Sequence, residues 1–279
     1  MDLNSNLVTT EWLNDHLGDD SLVILDATLK KRPDGSLIDP PINAIPGAQE
    51  FNYDTEICDQ STDLPHMLPP IDQFEKAAHR LGIGPNTLVV CYDALNVFCS
   101  PRAWWMFKAM GHDKVVVLDG GLPKWIAEKR PLQNGFSPST GIGSFKASYR
   151  SEWVRSATQV LESIDKPDSQ TIDARSYGRF NATEPEPRPG MKGGRIPGSA
   201  CLPFNELLDQ GCFKSKSEIR SILEKTFNPS ATETIFSCGS GVTASILALA
   251  ADECGYGQLS VYDGSWAEWG NRDDLPYES

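Results

Sequence analysis

The chain is written twice, and that duplication restricts its fold more than any other feature. "VILDAT" at 23–28 returns as "TIDARS" at 171–176, "AIPGAQEFNYD" at 44–54 as "RIPGSACLPFNE" at 195–206, and "VVVLDGGLPKW" at 115–125 as "LSVYDGSWAEW" at 259–269. Asp26 and Asp173 lie 147 residues apart, Ile45 and Ile196 lie 151 apart, and Trp125 and Trp269 lie 144 apart. Several motifs in one order at nearly constant spacing mean two copies of one domain. A fourth pair breaks the symmetry. "TLVVCYDALNVFCSPRAWWMFKAMG" at 87–111 aligns with "TIFSCGSGVTASILALAADECG" at 234–255, which sets Asp93 opposite Cys238. The scaffold repeats, but the thiol stands in the second copy alone.

Within each copy, short β-rich runs alternate with helical stretches. Strands are expected at 22–25, 87–92, 115–118, 170–173, 233–237 and 259–262, and helices near 9–17, 71–80, 101–110, 156–164, 217–226 and 243–254. Such alternation predicts an α/β fold, two tandem domains each with a mainly parallel sheet flanked by helices. The Gly-, Pro- and Ser-rich stretch "RPLQNGFSPSTGIGSFKA" marks a connector, so the first domain is expected over 1–132, the linker over 133–147 and the second domain over 148–279. "RAWWMF" reads as an amphipathic core helix, and "IPGA" and "IPGS" as turns.

Charge narrows the partners. With 25 basic and 38 acidic residues, the net charge of −13 leaves no basic surplus for phosphates or anionic lipid. No stretch approaches a membrane span and the first residues lack a signal-peptide pattern, so a cytoplasmic protein is expected, with no nucleic-acid or membrane partner. Seven cysteines without CxxC pairs suit a reducing compartment, and four scattered histidines suggest no metal site. Cys58, Cys91, Cys99, Cys201, Cys212 and Cys254 are expected to be inert.

Cys238 reads differently. A strand ending at Ser237 and a helix starting near Thr243 leave a tight loop in which Gly239 and Gly241 permit positive φ, so that successive N–H groups face one point. Those donors and the helix N-terminus favour an anion, which predicts a lowered thiol pKa and a nucleophilic thiolate. The bland alternative is a buried Cys beside a Gly-rich turn. Phosphoryl chemistry fits poorly. No lysine follows residue 225, as a P-loop needs, and position 244, where a C-x5-R phosphatase carries arginine, is Ala244.

With "CGSGVTA", "HMLP", "SPRAWWMF", "DARSYGRFNATEPEPRPGM" and "YDGSWAEWG" added to the duplication, the whole chain resembles the two-domain rhodanese superfamily and, within it, the 3-mercaptopyruvate sulfurtransferase family. The resemblance implies ping-pong covalent catalysis with no cofactor: Cys238 takes sulfur from the donor, pyruvate leaves, and a thiol acceptor (thioredoxin among the candidates) or cyanide removes the sulfur. It also implies a persulfide cradle from the backbone of Gly239, Ser240, Gly241, Val242 and Thr243, and a carboxylate grip by Arg179 and Arg188, for which guanidinium is suited. Ser240, His66 and Asp54 match a proposed Ser-His-Asp relay, with Asp59 or Asp63 as alternatives to Asp54 and plain packing or loop hydrogen bonding as alternatives for His66 and Ser240. Thiosulfate-specific relatives carry Arg and Lys after the cysteine; here Gly239 and Ser240 are neutral, which disfavours a thiosulfate-preferring rhodanese. A non-catalytic binding module is disfavoured by the intact cysteine loop. The first domain is read as lid and scaffold, with Cys238 at the floor of an interdomain cleft in a monomer.

Overall fold

A computed structural model describes residues 4–39, 43–139 and 141–279. The first copy builds a sheet from β1 (Leu7–Val8), β2 (Leu22–Asp26), β3 (Gln49–Glu50), β4 (Leu88–Tyr92) and β5 (Val115–Leu118), in the order β1-β5-β4-β2-β3. The second builds one from β6 (Val154–Arg155), β7 (Ser169–Asp173), β8 (Ala200–Cys201), β9 (Glu233–Ser237) and β10 (Leu259–Tyr262), in the order β6-β10-β9-β7-β8. The two orders are the same, and every pairing within both sheets is parallel. Register repeats as well: Asp26 lies beside Tyr92 in the first sheet, as Asp173 lies beside Ser237 in the second. In both copies the residue after the central strand, Asp93 or Cys238, therefore leaves the sheet at the same edge.

The long central strands stand where their β-branched runs predict them. The two-residue edge strands β1, β3, β6 and β8 are too short to leave a periodic pattern and were not expected. The helices are α1 (Thr10–Asp15), α2 (Ile71–Arg80), α3 (Ser100–Ala109), α4 (Gly121–Ala127), α5 (Ala157–Ser163), α6 (Tyr177–Phe180), α7 (Lys216–Thr226), α8 (Val242–Glu253) and α9 (Ser265–Trp269). Local chemistry starts several of them. Thr9 Oγ1 accepts from the Trp12 N–H, and Ser156/Gln159 and Ser215/Glu218 form reciprocal capping boxes at α5 and α7.

Helix α3 departs from the amphipathic expectation. Every residue of it except Lys108 is buried, because its second face packs against α8, whose residues 244–251 are themselves all buried. One continuous apolar core thus runs through both copies, from Trp104, Trp105 and Phe107 to Ile246 and Leu249. The Trp105 indole N–H donates across the seam to the Trp153 carbonyl at 3.0 Å. The connector is strapped down as well: Phe145 is buried edge-on against Phe74, and the Gly143 and Phe145 N–H groups donate to the carbonyls of His79 and Ile83. Among the described residues, no helix is long and apolar enough to cross a membrane.

Candidate active site

Strand β9 ends at Ser237, Cys238 follows with only 1 % of its surface exposed, and α8 begins at Val242. Gly241 caps that helix with φ +76°, a left-handed conformation that glycine adopts without penalty. Gly239 has no positive φ, contrary to expectation; its lack of a side chain matters for space. A Cβ there would come within 3.1 Å of Arg179 Nη2 and 3.7 Å of Arg188 Nη1.

The cradle is also narrower than expected, because the Gly241 N–H is already taken. It donates at 3.0 Å to Ser265 Oγ, which also accepts from the Cys238 N–H at 3.2 Å and lies 4.0 Å from the Cys238 sulfur. Ser265 sits at φ +49°, fully buried, where the first copy has Gly121 at φ +54°. The first turn of α9 supports the loop further: the Trp266 and Ala267 N–H groups donate to the Cys238 and Gly239 carbonyls, each at 2.9 Å. The loop residues facing the cleft are Gly239, Ser240, Val242 and Thr243.

The first copy shows what such a loop attracts. Asp93 Oδ2 accepts from the Cys99 and Ser100 N–H groups and from Ser100 Oγ, while Oδ1 accepts from the Leu95 N–H, at 2.7 to 2.9 Å. Full burial pushes this carboxyl up to about 6, against the pull of those donors. The strand-to-helix loop of the first copy is therefore filled by its own side-chain anion at the start of α3. In the second copy the thiol stands at that place.

Cys238 lines a narrow cleft of about 60 Å³ with residues of both copies: Leu29, His66 and Phe98 from the first, Arg179 and Arg188 from the second. Arg179 is tied down, because Glu186, itself 1 % exposed, accepts from its Nη2 at 2.5 Å and from Arg175 Nη1 at 2.6 Å. Arg188 has no hydrogen-bond or ion-pair partner among the described residues. Burial lowers its pKa, opposed by Cys238, while neighbouring Arg179 adds to the lowering. An anion between these guanidinium groups relieves both effects.

Of the three candidate aspartates, the structure brings Asp54 to His66. Nδ1 of His66 lies 3.3 Å from Asp54 Oδ1, within charge-contact range but without hydrogen-bond alignment. Asp59 instead closes a local turn on Ser61, and Asp63 makes no such contact. Burial favours the protonated Asp54 carboxyl, but His66 and the N–H groups of Lys30 and Lys31 outweigh it and hold its pKa below the usual value. Burial, then the charges of Arg102 and Arg188, hold His66 below its ordinary 6.5, against the pull of Asp54. Ser240 is buried beside them in the cleft, and no hydrogen bond joins it to His66.

Burial pushes up the thiols of Cys58, Cys91, Cys99, Cys201, Cys212 and Cys254, away from thiolate. A roomier hollow of about 510 Å³ lies elsewhere, near Asn6, Lys114, Lys216 and Glu253; no cysteine or histidine lines it, and Asn6 is paired there with Asp252 and Glu253. Among the described residues, no group of three or more His, Cys, Asp or Glu is placed to hold a metal ion. Reading the sequence missed Glu186, Ser265 and Arg102, although the change from "LDGG" to "YDGS" between the copies was a visible sign of Ser265.

The two matching sheets, and a cysteine loop present in one copy alone, are the architecture of tandem rhodanese domains. The family description "Rhodanese-like domain" matches residues 9–128 and again 156–272, and the chain belongs to the rhodanese family. It is 37 % identical over 274 residues to the 3-mercaptopyruvate sulfurtransferase of Escherichia coli K12, covering 97 % of each chain. It is 36 % identical over 299 residues to the thiosulfate/3-mercaptopyruvate sulfurtransferase 1 of Arabidopsis thaliana, covering 98 % of this chain and 78 % of that one. The crystal structure of SseA from Escherichia coli, described as a 3-mercaptopyruvate sulfotransferase, superposes with a TM-score of 0.82 at 33 % identity, covering 95 % of this chain and all of that one.

Proposed function

We propose that this chain is a sulfurtransferase that takes sulfur from 3-mercaptopyruvate onto Cys238 and passes it to a thiol acceptor. The observation that carries the reading is the meeting of Cys238 with Arg179 and Arg188 in one narrow cleft. The names of the relatives point the same way.

In the first half-reaction the Cys238 thiolate attacks the donor sulfur and an S–S bond forms. The donor's C–S bond breaks, its electron pair passing into the enolate of pyruvate. The proton of the donor thiol ends on the methyl carbon of pyruvate, leaving a persulfide anion on Cys238. Arg188 and Arg179 hold the carboxylate and the oxygen on which enolate charge develops, a gain larger in the transition state than in the bound donor. The backbone of Gly239, Ser240, Val242 and Thr243, which lines the cleft beside Cys238, is the part of the loop that holds the sulfur in this reading. Neutral His66, with Asp54 in charge contact behind it, is the group that moves the thiol proton, and Ser240 in the same cleft is the residue that passes it on once donor binding brings the two together. In the second half-reaction an acceptor thiolate attacks the outer sulfur and regenerates Cys238. Seven cysteines without paired spacing support work in a reducing cytoplasm.

Two outcomes follow. Arg188→Ala raises KM for mercaptopyruvate roughly 10- to 100-fold, the worth of a charge-assisted hydrogen bond. It affects KM for thiosulfate far less, and Arg179→Ala, whose charge is shared with Glu186, costs less than Arg188→Ala. Steady-state rates with both donors check this, and equal losses on both donors would remove the carboxylate grip.

The second concerns pH. With its pKa held below 6.5, His66 is more neutral than protonated at pH 6.5, and kcat/KM declines as pH falls through the lowered value. Stability moves in the same direction: the folded state resists protonating His66, so this contribution is present above 6.5 and is lost as pH falls. A pH series on the protein and on His66→Ala checks the assignment, since the His66-dependent part of the acid limb is absent from the variant.

A further inference from the structure

We infer that Arg102, paired with Asp263, is a positioning residue that holds the His66 loop of the first copy over the Cys238 loop of the second. The inference rests on the catalytic reading of His66 and adds the device that places it. Arg102 lies in the first turn of α3 and is fully buried, with its guanidinium 4.3 Å above the Trp105 ring. One nitrogen, Nη2, donates both to the His66 carbonyl and to Asp263 Oδ1, each at 2.5 Å. Asp263 Oδ2 in turn accepts the Leu68 N–H at 2.8 Å. The pair therefore grips the loop on both sides of Met67, one hydrogen bond to each flanking residue.

The other end of the clasp is the catalytic loop. Asp263 follows β10 and precedes Ser265, whose hydroxyl holds the Cys238 and Gly241 N–H groups. A Cβ on Gly241 would lie 2.7 Å from Arg102 Nη1 and 3.1 Å from the Asp263 carbonyl. The His66 loop and the Cys238 loop thus both abut Arg102 and Asp263.

Two features say that this pair does more than join domains. His66 stands at φ +63°, an uncommon conformation for a non-glycine residue, and it is buried there with its carbonyl held by Arg102. Arg102 Nε and Nη1 are buried without acceptors, an expense that apolar side chains filling the same seam would avoid. Asp54 and Arg188 act on His66 through charge, Lys31 and Arg179 share its cleft, and none of the four hydrogen-bonds its backbone.

A mutant cycle on the full chain tests the clasp. Arg102→Lys keeps the charge but loses the planar guanidinium whose stacking on Trp105 fixes where Nη2 stands, and Asp263→Asn keeps the volume but leaves one of the two contacts facing an amide NH2. Each is expected to lower kcat with mercaptopyruvate by about tenfold or more, the scale of a misplaced catalytic group, and to leave KM within about threefold. In a His66→Ala background each should cost less than about threefold, because there is no imidazole left to place. Equal losses with and without His66 would overturn the inference and leave the pair a plain domain tie. Unchanged kcat in Asp263→Asn would overturn it too, and that variant carries the cycle alone if Arg102→Lys does not fold. A His66→Ala protein with undiminished kcat marks a different failure, that of the catalytic reading of His66, and takes the clasp with it.

Discussion

Cys238→Ser loses pyruvate release from mercaptopyruvate by at least about a thousandfold, the scale expected when a covalent nucleophile is removed. A hydroxyl fills almost the same volume and keeps the backbone of the loop, so the fold and the grip of Arg179 and Arg188 persist. The thiolate is lost, and with it the one cysteine that lines the cleft among the described residues. The other cysteines do not substitute, since burial pushes all six away from the nucleophilic form. Donor binding, followed by protection against thermal unfolding, should survive in the variant. Retained turnover would remove Cys238 from the mechanism.

Gly241→Ala carries the second-largest effect. Its φ of +76° strains any side chain, and the new Cβ meets Arg102 Nη1 at 2.7 Å. Overpacking of this kind costs about 1–3 kcal/mol, to which the left-handed conformation adds about 1 kcal/mol. Arg102 is held by His66 and Asp263 and cannot yield without shifting both, so the loop moves. Displacement of a nucleophile by about an ångström costs on the order of a hundredfold in kcat. Thermal unfolding and steady-state rates on one preparation check both parts. Gly255→Ala makes a useful comparison, because Gly255 also has positive φ (+81°) but has nothing within 4 Å of its Cβ position. That change should lower stability through backbone strain and leave turnover intact.

The parts of this molecule legible in the sequence are those written in periodicity and repetition. Six central strands are legible as β-rich runs within each half, the pairing of Asp93 with Cys238 is legible from comparing one half with the other, and the structure repeats one strand order in both halves. The cysteine loop could be read because its chemistry is local: strand, thiol, glycines and helix start lie within a few residues. What escaped was long-range. Arg102 meets Asp263 across 161 residues, and nothing in "SPRAWWMF" tells that its arginine turns inward while the helix is buried on every side. Glu186 sits in the Pro-rich stretch "TEPEPRPG", with no apolar periodicity to mark it as buried, yet it is buried between two arginines. The misjudged role of Gly239 has a similar cause: two neighbouring glycines look alike in sequence, while one answers to φ and the other to the space two guanidinium groups require.

A single sulfur carried by a single residue is the core of the proposed mechanism. Intact mass measurement after brief treatment with mercaptopyruvate, followed by peptide mapping, should find one added sulfur atom on the peptide that contains Cys238. That mass should disappear when a thiol acceptor or cyanide is added. Pyruvate released with no sulfur left on the protein, or with the sulfur on any other cysteine, would contradict it.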